Sequence, residues 1–229
     1  MEEIELEGGR STRGVTRSGD ILYRPHKPQS DFANSFLKFL EERNCPFSQR
    51  YIGRDKYGRD MFRFIEGYVP KEIGDTTLPQ LRTFMRIMRI LHDHSVDFAP
   101  NGKVVCHNDL SPCNTVFENG KPIAVIDWDG AKFGERWEDI TYAVWLWINI
   151  GSHNRVSSNI ITQLKAALSA YRADRDTLCD FSEKLIWRMN KVVADMSPDN
   201  YQYERTKEWV DYSKIWVENN RKFISEVTE

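Results

Sequence analysis

The chain reads as α+β, built in two unequal parts: a short strand-rich segment carrying one helix, then a longer and mainly helical segment. Three observations predict this. The first seventy residues hold short alternating runs separated by turns rich in Gly and Asp. From about Leu78 the apolar period becomes that of helices. Two strand-like runs interrupt the helical region, and each ends directly in a loop bearing acids or histidine.

Taken in order, Ile4-Glu5-Leu6 precedes Gly8-Gly9, and "RSTRGVTR" and "ILYR" flank the turn Ser18-Gly19-Asp20, which predicts an antiparallel meander. "SDFANSFLKFLEERN" predicts a helix, with Ser30 as its cap and Phe32, Phe36, Leu37, Phe39 and Leu40 at helical spacing. "RYIGRDKYGRDMFRFIEGYVP" returns to strand character, turns at Asp55-Lys56-Tyr57-Gly58 and ends at Gly67 and Pro70. The boundary between the parts is expected at residues 70 and 71.

In the longer part, Leu81, Phe84, Met85, Met88 and Leu91 make one helix face. The strand-like runs are Val104-Val105-Cys106 and Ile123-Ala124-Val125-Ile126, and helices are expected again over Trp137 to Ile150, Asn159 to Tyr171, Asp176 to Asp195 and Tyr201 to Val227. Trp209, Tyr212, Trp216 and Phe223 share one side of the last, which reads as core and not as an aromatic box for a ligand.

The whole-chain numbers restrict the chemistry. With 229 residues and a net charge of −2, the chain can bury a substantial core and presents no basic field for nucleic acid or an anionic membrane. The 4 cysteines, Cys45, Cys106, Cys113 and Cys179, fit neither a zinc knuckle nor a disulfide framework and point to a reducing cytoplasm. The acidic start Met-Glu-Glu-Ile-Glu is unlike a signal peptide, and no stretch approaches 18 uninterrupted apolar residues, so a cytoplasmic location without a membrane span is expected.

The densest polarity lies in "VVCHNDLSPCNTVF", where His107, Asp109 and Asn114 stand between runs that read as buried strand. Asp127 follows where "IAVIDWD" leaves a second strand, and pairing of the two strands as a hairpin would bring the oxygens of Asp109, Asn114 and Asp127 together. An aspartate set against a hydroxyl can accept its proton. An amide oxygen and a second carboxylate are hard ligands that suit Mg2+, which also takes substrate phosphate oxygens. Together these are the parts of phosphoryl transfer. Each residue taken alone reads rather as a maker of turns, and it is the joint pattern that points to chemistry.

The joint pattern, H-N-D-L-S-P-C-N followed by I-D-W-D and "WEDITYA", resembles the aminoglycoside phosphotransferase family, relatives of choline kinase and more distantly of protein kinases. The resemblance runs from about Gly8 to Gly151 and is strongest from Val104 to Ala143. It implies a two-lobed protein-kinase-like fold with a short antiparallel β N-lobe and a larger helical C-lobe. It also implies Asp109 as catalytic base, His107 as organiser of the loop, Asn114 and Asp127 as Mg2+ ligands, and Asp139 as a buried anchor of the loop backbone. Asp129 is left between a turn role and a supporting charge.

By the same resemblance the phosphate-covering loop falls at Gly8-Gly9-Arg10-Ser11, where Gly9 and Ser11 would approach the phosphates of ATP. Arg24 stands where the family carries a phosphate-binding lysine, with pairing to Asp20, Asp31 or Glu41, or exposure to solvent, as the alternatives. The acid expected on the following helix is replaced near Ala33, with Asp31, Glu41 and Glu42 as possible substitutes. Phe64, Ile65 and Glu66 would form the linker that meets adenine.

The implied activity is ATP- and Mg2+-dependent phosphorylation of a hydroxyl on a small molecule: aminoglycoside-like, an amino alcohol or a sugar. Asp195, Asp199, Glu204, Glu208 and Asp211 would give a cationic acceptor some negative charge, or simply form a solvated face. The motifs specify neither the acceptor nor the oligomeric state. The rivals are a nucleotide-binding module without efficient transfer, motivated by Arg24 and the missing helix acid, and a metal-dependent hydrolase, for which only His107 among the 5 histidines lies near the carboxylates.

Overall fold

The computed structural model describes residues 2–6, 14–152 and 157–228. Its first part is a five-stranded antiparallel sheet in the order β1-β2-β3-β5-β4, formed by β1 (Ile4–Glu5), β2 (Thr16–Ser18), β3 (Ile21–Arg24), β4 (Tyr51–Arg54) and β5 (Asp60–Arg63). The β2–β3 turn needs Gly19, whose φ of 58° lies in the left-handed region. At the β4–β5 turn, Asp55 accepts the amides of Tyr57 and Arg59, each at 2.9 Å, which is why a single aspartate suffices to set this hairpin.

Helix α1 (Ser30–Glu42) crosses between β3 and β4 and buries Phe36, Leu37 and Leu40. Ser30 is not its cap. Gln29 holds that position, and the Ser30 hydroxyl turns towards Asp129. The outer rings of α1 continue the core across to the second part: Phe32 packs on Phe133 at 5.1 Å, Phe36 on Trp128 at 5.2 Å and Phe39 on Phe98 at 4.9 Å.

The chain then enters α2 (Leu78–Ser95) through a capping box in which Thr77 and Gln80 satisfy each other's backbone amides. Its buried face is the expected one, with Leu81, Phe84, Met85, Met88 and Leu91 all at or near zero exposure. The strand pairing differs from the expected hairpin. β6 (Val104–Cys106) pairs with β9 (Lys132–Gly134), whereas β7 (Thr115–Glu118) pairs with β8 (Lys121–Val125). A strand of four residues begins directly after Asn114 and supplies β8 with its partner, so Val104–Cys106 is left for the run that follows Asp127.

The remaining helices are α3 (Arg136–Ile148), α4 (Ser157–Tyr171), α5 (Arg175–Leu178), α6 (Phe181–Ala194), α7 (Tyr203–Asn219) and α8 (Arg221–Thr228). Two expected long helices are each split. Asp180 adopts a left-handed φ of 50° between α5 and α6, and Asn220 breaks α7 from α8 by returning its side-chain amide to the Trp216 carbonyl at 2.8 Å. The expected aromatic stack divides as well: Trp209 stacks on buried Trp145 at 4.2 Å, whereas Tyr212 and Phe223 are exposed. Among the described residues no helix is long and apolar enough to cross a membrane.

Candidate active site

The loop from His107 to Asn114 hangs from one buried carboxylate. Asp139, fully buried on α3, accepts the amides of His107 at 2.7 Å and Asn108 at 2.9 Å. His92 of α2 lies 3.2 Å from the same carboxylate and is itself 2.7 Å from the Tyr171 hydroxyl. Burial alone would raise the Asp139 pKa, but the His92 hydrogen bond, the neighbouring His92 and His107 rings and the Asn108 amide together hold it below the usual range. Asn108 itself is left-handed, with φ 66°, a conformation that a short amide side chain tolerates.

His107 joins the loop to the strand before Asp127. Its Nδ1 accepts the Asp109 amide at 3.2 Å, which leaves Nε2 as the donor to the Ile126 carbonyl at 3.0 Å. Its ring also tilts against Trp128 at 4.6 Å.

Asp109 is exposed to solvent, yet both carboxylate oxygens are engaged. Oδ1 accepts the Tyr142 hydroxyl at 2.9 Å and Oδ2 accepts the Asn114 amide nitrogen at 2.8 Å. The same nitrogen reaches the Asp109 carbonyl at 2.9 Å, so the amide oxygen of Asn114 faces away from Asp109. Tyr142 escaped the sequence reading. Its signal was present, since it lies three residues after Asp139 and therefore on the same face of α3. Burial, reinforced by the negative Asp109, pushes the Tyr142 phenol well above its ordinary range and keeps it a donor.

Asn114 and Asp127 flank the β7–β8 hairpin, whose Thr115 and Val125 are paired. The Ile126 amide donates to the Asn114 carbonyl at 3.0 Å, which sets Asp127 beside the end of the loop. Asp127 has φ 63° and ψ 64°, an uncommon conformation for a residue with a side chain and one that turns it out of the strand. Among the described residues no group of three or more His, Cys, Asp or Glu side chains forms a metal cage. The donors present are a carboxylate and an amide oxygen, a set that suits a hard cation sharing its shell with phosphates and waters.

Arg24 is 8% exposed and follows none of its expected alternatives of solvent, Asp20, Asp31 or Glu41. It donates from Nη1 to Asp127 at 2.9 Å and from Nη2 to Asp129. Lys27 reaches the other Asp129 oxygen at 3.2 Å, so Asp129 serves as the tie to β3 and the start of α1. No acid of α1 pairs with Arg24: Ala33 is buried, Asp31 pairs with Arg54, and Glu41 and Glu42 are exposed.

The linker docks on β7 through reciprocal Tyr68–Phe117 amide-to-carbonyl bonds of 2.8 Å. Gly67, with φ 150°, permits this approach, because a Cβ there would lie 2.7 Å from the Phe117 carbonyl oxygen. The Phe64 amide is turned back to the Asp20 carbonyl at 2.8 Å, the Phe64 ring lies under Arg17 at 3.7 Å, and Glu66 pairs with Arg17. Ile65 is half-buried between them. Beside the linker a cleft of about 460 Å3 opens between Tyr68, Glu72, Gln80, Pro112 and Phe117. Gly8 to Thr12, including Gly9 and Ser11, lie outside the described residues. The acids expected to attract a cation are partly neutralised, Asp195 by Lys191 and Asp211 by Lys214.

The model of the phosphotransferase enzyme family matches residues 37–181. The trifolitoxin immunity protein of Rhizobium leguminosarum bv. trifolii is 29% identical, over 94% of this chain and 90% of that protein. A microcompartment-associated aminopropanol kinase superposes with a TM-score of 0.68 at 13% identity, covering 98% of this chain and 93% of that one. An ADP-bound aminoglycoside phosphotransferase gives a TM-score of 0.54 at 11% identity, over 100% of this chain and 92% of that one. The fold is therefore the two-lobed kinase-like one, with a short antiparallel N-lobe and a mainly helical C-lobe.

Proposed function

This chain belongs to the phosphotransferase enzyme family, and on that premise we propose that it is a cytoplasmic small-molecule kinase that transfers the γ-phosphate of ATP to an acceptor hydroxyl. The observation that carries this reading is the Asp109 carboxylate, exposed to solvent and gripped through both oxygens by Tyr142 and Asn114. A carboxylate fixed in this way is suited to take a proton from a hydroxyl as that oxygen bonds to the γ-phosphorus and the bond to ADP breaks.

Asn114, through its amide oxygen, and Asp127 would hold Mg2+. The ion supplies charge neutralisation and orientation of the phosphates when bound. His107 ties the base to the Asp127 strand, and Asp139 fixes the loop from beneath. In this reading Arg24 turns from Asp127 and Asp129 to the nucleotide phosphates, Gly9 and Ser11 cover those phosphates, and Phe64, Ile65 and Glu66 border the adenine. The acceptor is an amino alcohol, a sugar or an aminoglycoside-like molecule. The immunity function named for the relative at 29% identity adds toxic compounds to that list.

A second reading, a nucleotide-binding module with little transfer, is favoured by the Arg24–Asp127 pair and by the absence of an α1 acid against Arg24. Measuring ADP release over a panel of amino alcohols, sugars, nucleosides, aminoglycosides and toxic natural products separates the two. An acceptor that stimulates release is expected, and Asp109→Asn should then lower turnover about a hundredfold while ATP affinity is kept. Release that no acceptor stimulates, or that Asp109→Asn leaves unchanged, speaks for the second reading.

A further inference from the structure

Arg188 is 4% exposed on α6, and no carboxylate pairs with it among the described residues. Its Nη2 donates to the Asn108 carbonyl at 2.7 Å, its guanidinium lies over the Tyr142 ring at 4.2 Å, and its Nε is buried without a partner. As a core filler this is an expensive choice, because a buried cation with no carboxylate in direct contact loses its hydration without an ion pair in return, and a Leu or Met of similar volume would not. The two groups it grips have one thing in common. Asn108 precedes Asp109 in the loop, and Tyr142 donates to Asp109 Oδ1 at 2.9 Å.

We propose that Tyr142 is a positioning residue for Asp109 and that Arg188 holds Tyr142 in that role. The inference rests on Asp109 being the base of the proposed reaction. A carboxylate anchored at one oxygen can still rotate about its Cβ–Cγ bond. Hydrogen bonds to both oxygens from separate elements, the Pro112–Asn114 turn and α3, fix its plane. Each oxygen keeps a further lone pair for the incoming hydroxyl. Small errors in that geometry act on the rate and not on nucleotide binding, because Tyr142 and Arg188 meet the base and its loop from the C-lobe side. The Tyr142 ring would otherwise be held in place only at its hydroxyl; the Arg188 guanidinium over the ring and the Asn108 carbonyl beyond make one clamp.

The test uses the whole protein with MgATP and water as the acceptor, reading ADP release. Tyr142→Phe should lower kcat about tenfold with the KM for ATP and the melting temperature unchanged. Arg188→Leu should give a similar loss, and Arg188→Lys should recover part of it. In the Asp109→Asn background, Tyr142→Phe should have no further effect, since it acts only through that carboxylate. A kcat for Tyr142→Phe within twofold of wild type, or losses that multiply in the double variant, would overturn the inference alone. Unchanged release by Asp109→Asn would instead remove the base itself, and with it both the proposed reaction and this role for Tyr142.

Discussion

Arg24 of the N-lobe donates to Asp127 at 2.9 Å across 103 residues of chain, so a single guanidinium joins the sheet to the strand end that faces the His107–Asn114 loop. With Asp129 and Lys27 it makes a balanced set of two cations and two carboxylates. If Arg24 turns to the phosphates on nucleotide binding, Arg24→Ala should weaken ATP by about ten- to hundredfold and leave adenosine, which lacks phosphates, nearly unchanged. Paired calorimetric titrations with the two ligands check this. Arg24→Lys should keep part of the ATP affinity. Equal losses for ATP and adenosine would confine Arg24 to holding the lobes together.

Asp127 and Asp129 share Arg24 but differ in their other neighbours. Asp129 also holds Lys27 and the Ser30 hydroxyl, whereas Asp127 adjoins Asn114. Asp127→Ala is therefore expected to abolish Mg2+-dependent nucleotide binding. Asp129→Ala should lower thermal stability, by about 1–3 kcal/mol, with a smaller effect on the nucleotide. Nucleotide titrations with and without Mg2+, beside melting curves, compare the two, and equal losses of binding would assign the metal to the wrong carboxylate.

Asp139 links stability to pH. Its pKa is held below that of the unfolded chain, so its contribution is fully present above the unfolded value of about 4 and is lost as the pH falls through the folded one. Urea unfolding between pH 7 and the acid limit should show this loss in the wild type and a flatter profile in Asp139→Asn. The variant should also be less stable at pH 7 by roughly 2–4 kcal/mol, since His107 and Asn108 donate to different oxygens of Asp139 and one of those positions becomes an NH2 in the variant. A variant as stable as the wild type at pH 7 would show that the loop does not depend on this anchor.

Gly67 and Gly53 have nearly equal φ, 150° and 148°, but different surroundings. A Cβ on Gly67 would meet Val116 at 2.5 Å and the Phe117 carbonyl oxygen at 2.7 Å, whereas one on Gly53 meets nothing within 4 Å. Gly53→Ala should cost about 1 kcal/mol of backbone strain, and Gly67→Ala several kcal/mol more through displacement of the linker. Denaturant midpoints of the two variants give the comparison. Equal costs would mean that the linker is free to move off β7.

Features local in the chain were the legible ones. The turn at Asp55 to Gly58, the apolar face of α2 and the density of polar groups from His107 to Asn114 each arise from residues a few positions apart. What escaped depends on distant partners. Val104–Cys106 was matched to the wrong strand because Thr115–Glu118, only four residues long, competes better for β8. Ser30 looked like a cap, yet its hydroxyl is drawn to Asp129, 99 residues away. Breaks at Asp180 and Asn220 carry neither Gly nor Pro, so nothing in the local pattern announced them. Tyr142 and Arg188 acquire meaning only when α3 and α6 close on the loop, and Arg24 only when Asp127 and Asp129 arrive beneath it.

The rings that α1 sends across the lobe boundary bear on how the protein unfolds. Phe36 and Phe39 both touch Phe98, and Phe32 touches both Phe98 and Phe133. One continuous apolar cluster thus includes Phe62 of the sheet and Ile224 of the last helix. A cut at residue 70 would therefore expose aromatic surface on both fragments. The lobes are distinct in outline but share this core, so a single cooperative transition is expected on melting, with α1 tied by its rings to the C-lobe as well as to the sheet.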